Sequence, residues 1–175
     1  MPCSHADATR LAACPNCGAV VPDIEGPTHA YMVSSPGCWA AFGELQADEL
    51  ARFGYPPAHG LTVDAFAASH GGDGSQRRDS QSVCIHLMAL CRVLERGESL
   101  RRRMALLREL TARKRDWPHL ARPPGVPALS HTHPAGAADL DEYTARVIEW
   151  AGAVWAFWAP EHERIRRLLD APPRR

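Results

Sequence analysis

Cys14-Pro15-Asn16-Cys17-Gly18 and, further on, Ser34-Ser35-Pro36-Gly37-Cys38-Trp39 are the stretches around which this chain of 175 residues is arranged. Two thiols separated by two residues, the second followed by glycine, make a zinc-knuckle turn. Its tight bend aims both sulfurs and nearby backbone N–H groups at one ion. Cys38, after the Pro36-Gly37 turn, supplies a third thiolate. The pattern predicts a Zn2+ site that ties an irregular N-terminal segment, residues 14–38, to a helical body. The fourth donor is open. His29, lying between the thiols in sequence, is the first candidate and His70 the alternative, followed by His59, Cys3 and His5. With every position filled by protein the ion is structural; with water in the fourth place it can be catalytic.

Outward from the knuckle the text turns helical. Residues 14–37 hold too many glycines and prolines for a long helix, and Ala19-Val20-Val21 is a short strand candidate. From Cys38, residues Trp39, Phe42, Leu45 and Leu50 recur at helical spacing up to Phe53, with Ser34 or Ser35 and Pro36 as the start and Gly54-Tyr55-Pro56-Pro57 as the stop. A second, short helix takes Thr62 as its cap and Asp64 in its first turn, and ends at His70-Gly71-Gly72. The third, Asp79 to Arg96, is the most apolar, and Val83, Leu87, Leu90 and Leu94 predict a central place in a bundle. The fourth, Ser99 to Arg115, carries Leu100, Met104, Leu107 and Leu110 on one face. A Pro-rich connector, 116–138, precedes a last helix from Leu140 to Leu169, which Pro160 should kink or break near Ala159. The expected architecture is an all-α, five-helix, bundle-like single domain over 14–170. A flexible arm, 1–13, precedes it and a disordered tail, 171–175, follows.

Lys+Arg and Asp+Glu balance at 20 each, so no global field argues for nucleic acid or an anionic membrane. The basic residues are almost all arginine, a bias that fits a GC-rich bacterial genome. Met1 to Val21 has no apolar core of signal-peptide length, and no run reaches the roughly 18 apolar residues of a membrane span. Six cysteines in such a chain point to a reducing cytoplasm and to metal binding, not to a disulfide framework.

A second constellation is His59, Asp64, His70 and His86, of which His70, His86 and Asp64 are the candidate acid–base residues. His70 and His86 belong to successive helices and can meet across an antiparallel packing, with Asp64 orienting an imidazole or serving its helix N-terminus. Against this stands the plainer reading of His86 as a hydrogen-bonded core histidine. Cys84 and Cys91 read as small core residues. His131 and His133 read as an incidental pair in a Pro-rich loop, Arg101-Arg102-Arg103 as a solvated face, and the tryptophans at 150, 155 and 158 as core.

The blocks Cys14-Pro15-x-Cys17-Gly18, Gly26-Pro27-Thr28-His29-x-Tyr31-Met32-x-Ser34-Ser35-Pro36-Gly37-Cys38-Trp39, Leu61-Thr62-Val63-Asp64-Ala65, His70-Gly71, Gln81-Ser82-Val83 and His86-Leu87 resemble an uncharacterised bacterial domain-of-unknown-function family. The similarity covers about residues 14–170. It implies a small helical protein with shared thiols and histidines and brings no established activity. Members read Gln-His-Pro-Gly where this chain has Ser69-His70-Gly71-Gly72, which bears on the local turn more than on His70.

Two functions compete. One is a zinc-stabilised helical module that binds a small molecule or a protein. The other is a metal-dependent enzyme, a hydrolase or thiol-using transferase, with an open metal position and His70 or His86 as acid–base group. No nucleic acid and no membrane partner is expected.

Overall fold

The computed structural model describes residues 10–112 and 117–171, with the side chains of residues 103, 104 and 106 also undescribed. Cys3, His5, most of the expected arm and the tail 172–175 therefore lie outside the described residues, as does the Met104 side chain expected on the fourth helix.

The described chain opens with a two-stranded antiparallel ribbon, β1 (Leu11–Ala13) and β2 (Val20–Pro22), in which Ala12 faces Val21. The partner of the expected short strand is thus the end of the segment read as a loose arm. Helices follow: α1 (Pro36–Phe53), α2 (His59–Ser69), α3 (Arg77–Leu94), α4 (Arg103–Ala112), α5 (Leu140–Phe157) and α6 (His162–Asp170). The expected count of five is corrected to six α-helices among the described residues. Pro160 accounts for the difference. It removes a backbone donor and sits in a 3₁₀ turn, Ala159–Glu161, so the long last helix becomes two.

Local chemistry sets the starts. Ser35 caps α1, its Oγ accepting from Cys38 N–H at 3.2 Å, with Pro36 in the first turn, where its missing N–H costs nothing. Asp139 caps α5, accepting from Glu142 N–H at 2.9 Å. α2 begins earlier than Thr62, at His59. Thr62 is therefore inside the helix and its hydroxyl donates back to Ala58 O. Asp64 is accordingly mid-helix and is corrected from its first-turn reading.

The centre is the α2–α3 pair, with α5 laid against α2 and α6 against α3. α2 is short, but almost every residue is buried, and Ala65, Ala67 and Ala68 let its neighbours approach closely. α3 presents Val83, Leu87 and Leu90 to the same core, and Cys84 and Cys91 are buried there as small apolar residues. Trp150, Trp155 and Trp158 of the α5 region fill the other side, and the Trp158 indole donates to Ala68 O of α2 at 3.0 Å. Among the described residues no helix is long and apolar enough to cross a membrane.

Candidate metal centre

The ribbon and the helices meet at one point. Gly18 (φ +73°) turns the knuckle, Gly18 N–H donates to Cys14 O at 2.9 Å, and Cys14 N–H donates to Ala19 O at 2.8 Å. A side chain at Gly18 would be strained and would press on Val126. The N-terminus of α1 is laid directly on β2: a Cβ at Gly37 would lie 1.9 Å from the Pro22 carbonyl oxygen, so only glycine lets Cys38 come this close. His70 arrives from the far end of α2, where it is the C-cap residue.

The result is a group of four donors, Cys14, Cys17, Cys38 and His70, whose ligand atoms all lie within 4.8 Å of one another. Cys17 Sγ stands 3.6 Å from Cys38 Sγ, His70 Nε2 3.3 Å from Cys38 Sγ, and His70 Nε2 3.6 Å from Cys14 Sγ. A tetrahedral ion with metal–sulfur bonds of about 2.3 Å and a metal–nitrogen bond of about 2.0–2.1 Å sets sulfur pairs about 3.8 Å apart and sulfur–nitrogen pairs about 3.5 Å apart. The spacings fit that figure, and the sulfurs are too far apart to be a disulfide. The group could hold a metal ion.

His70 is prepared for ligation. Its Nδ1–H donates to Phe66 O at 2.8 Å, one turn back along α2, which leaves Nε2 bare and facing the sulfurs. The ring also packs on Phe66, centroids 4.0 Å apart. All four donors are sealed, with 0–2% of each residue exposed.

The thiols titrate as a set. Hydrogen bonds from Cys17 and Cys38 hold Cys14 far below the usual thiol range, while its sulfur raises Cys17 to about 12. Cys38 is pushed up as well, first by Cys14 and then by Cys17. One thiolate is tolerated in this buried space, and three need a cation.

A second layer closes over the group. Val33 N–H donates to His70 O at 2.9 Å, and the Asn16 amide donates to Val33 O at 2.8 Å, which pins the loop 24–34 to the knuckle. The connector covers the other side: Arg122 donates to Asn16 O, and His131 lies with Nδ1 3.9 Å from Cys38 Sγ. His131 is 2% exposed, packed against the edges of Phe42 and Phe66, and its Nε2 has no hydrogen-bond partner. Burial pushes it down to about 4, so it is neutral.

A family model matches residues 12–159. The chain belongs to DUF5946, a family of unknown function. No curated protein and no solved structure matches it.

In this DUF5946 chain the other residues singled out from sequence fall in three places. His29, the first candidate for fourth donor, is not in the group; it packs edge-on to Tyr31 at 4.3 Å and to Trp39 at 5.2 Å. His59 pairs with buried Glu49 at 2.7 Å, away from the thiols. His86 meets Asp64 at 2.7 Å across the α2–α3 packing. His131 is the residue that sequence reasoning passed over. Its His-x-His setting suggested exposure, yet only His133, paired with Glu149, behaves so.

Proposed function

We propose that this chain is a zinc protein whose ion is structural, and that it acts as a cytoplasmic binding module for a small molecule or a protein partner, without nucleic acid or membrane. The observation that carries the reading is the burial of four protein donors, three sulfurs and one nitrogen, at tetrahedral spacings. Three thiolates and an imidazole favour zinc among the first-row ions available to a reducing cell. Filled by protein, the ion has no place for water or substrate, which counts against the hydrolase or transferase reading. His70, as a ligand, cannot also serve as a general base.

Bound there, the ion neutralises the thiolates and fastens the ribbon, α1 and α2 at one point. The loop 24–34 and the connector are then held by the hydrogen bonds already described. Zinc in such sites contributes folding free energy outright, about 10–16 kcal/mol in zinc-finger peptides. That is as large as the whole stability of an ordinary domain.

Elemental analysis of the purified chain, followed by removal of metal with a strong chelator under circular dichroism, tests this. The expected result is one zinc per chain and loss of cooperative folding on its removal. A metal-free chain that stays folded would overturn the reading.

A further inference from the structure

One polar pair takes no part in the metal group. Asp64, in the middle of α2, is fully buried, and its Oδ1 lies 2.7 Å from Nδ1 of His86 on α3. An ionised carboxylate can only accept, so Nδ1 carries the proton, and in the neutral imidazole Nε2 is left bare. Among the described residues no hydrogen bond engages Nε2, and the His86 side chain is 14% exposed. His86 lines a cleft of ≈ 400 Å³ with Tyr31, Arg78, Gln81, Ser82 and Thr111.

The arrangement follows from helix geometry. Arg78, Ser82 and His86 are four residues apart in turn, so they form one stripe along α3. Arg78 and His86 are about 12 Å apart along the axis, and both line the same cleft. Arg78 has no ion-pair or hydrogen-bond partner among the described residues. Tyr31 also lines the cleft. It sits in the loop 24–34, whose end is tied to His70 O and to Asn16, so the metal group fixes its position. The charged or titratable groups facing His86 are Asp64 from α2, Arg78 from its own helix, and His29 and Tyr31 from the loop.

We propose that this cleft is the ligand site of the module. It takes a small molecule with an anionic oxygen and a neighbouring O–H, such as a hydroxy acid or hydrogen phosphate. The O–H donates to His86 Nε2 and the anionic oxygen meets Arg78. Asp64 is a positioning residue that fixes the imidazole tautomer. Bare Nε2 asks for a donor, an unpaired guanidinium asks for an anion, and one ligand supplies both. The inference rests on the binding-module reading and gives that module its site.

The test is a titration of the full, zinc-loaded chain, ¹⁵N-labelled at histidine, with inorganic phosphate, glycolate and acetate, followed by imidazole NMR. Before any addition, His86 should show the Nδ1–H tautomer. Phosphate or glycolate should then shift His86 Nε2 saturably, while half-buried His133, paired with Glu149, stays put. Saturation by phosphate alone assigns inorganic phosphate, and by glycolate alone the hydroxy-acid class. Acetate, which lacks the O–H, should bind at least about tenfold more weakly, and Arg78→Gln, a surface change, should weaken binding by a similar factor. An Nε2–H tautomer, no saturable shift with either ligand, or shifts unchanged in Arg78→Gln would overturn the proposal. Zinc is measured on the same sample. A zinc-loaded chain without shifts refutes the cleft alone, whereas a folded metal-free chain with shifts refutes the structural ion alone.

Discussion

His70→Ala and His29→Ala separate the two candidate fourth donors by energy. Removing the His70 ring deletes its hydrogen bond to Phe66 O, worth about 1 kcal/mol, and its contact with the Phe66 ring, worth about 0.5–1.5 kcal/mol. It also leaves a hole at a 0% exposed position, where truncating a large side chain to alanine costs about 2–5 kcal/mol. About 4 kcal/mol of stability should go before any contribution from the ion. His29 is only partly buried in a loop, with edge contacts to Tyr31 and Trp39, and its truncation should cost about 1 kcal/mol or less. The gap of about 3 kcal/mol is a factor above one hundred in the folding equilibrium. Urea denaturation of both variants measures it, with a chromophoric chelator in competition to rank zinc affinity. His70→Ala should lose zinc first and His29→Ala should retain it. The account of the site fails if His29→Ala loses as much stability and zinc as His70→Ala.

Gly37→Ala places a methyl group against the Pro22 carbonyl, so the ribbon must detach from α1, with a cost of several kcal/mol and weakened zinc retention; Gly43→Ala, in open space inside α1, is the control that should leave zinc retention unchanged and raise stability by about 0.5–1 kcal/mol through helix propensity. His131→Ala removes the cover from Cys38 and should speed zinc transfer to a chelator with little change in secondary structure, read by stopped-flow absorbance. Glu95 takes two hydrogen bonds from Arg166 and one from the Trp155 indole, and chiefly the Arg166 bonds hold its carboxyl down to about 2. A lowered carboxylate stabilises above its ordinary range, near 4.5, and the gain is lost as pH falls from there toward 2. Glu95→Gln should therefore cost about 1–2 kcal/mol at pH 7, after allowance for solvent screening, and flatten the acid limb of a stability–pH curve.

Much of the fold was legible because its signals are local. Ser35 and Pro36 mark the start of α1, the apolar stripe of α3 marks its central place, and Pro160 marks the break that makes six helices of five. The ribbon was half legible: Val20 and Val21 look like strand, but Leu11-Ala12-Ala13 is exposed throughout and has no alternating pattern to reveal its partner. At the site, Cys14, Cys17 and Cys38 announce themselves by turn chemistry. His70 does not, because its place depends on how α2 packs against α1 and the ribbon, and sequence proximity favoured His29 instead. The only local hint is the Phe66 carbonyl one turn before it, ready to hold Nδ1. His131 was invisible for the same reason, since a Pro-rich connector gives no periodicity from which to read burial. Asp64 and His86 were weighed as a pair, and the helix register that brings them to 2.7 Å is tertiary information.

X-ray absorption at the zinc edge tests the central claim most directly. The four-donor site predicts a first shell of three sulfurs at about 2.3 Å and one nitrogen at about 2.0–2.1 Å, with imidazole scattering that disappears in His70→Ala and persists in His29→Ala. A shell containing an oxygen, a shell with fewer than three sulfurs, or imidazole scattering that survives in His70→Ala would contradict it.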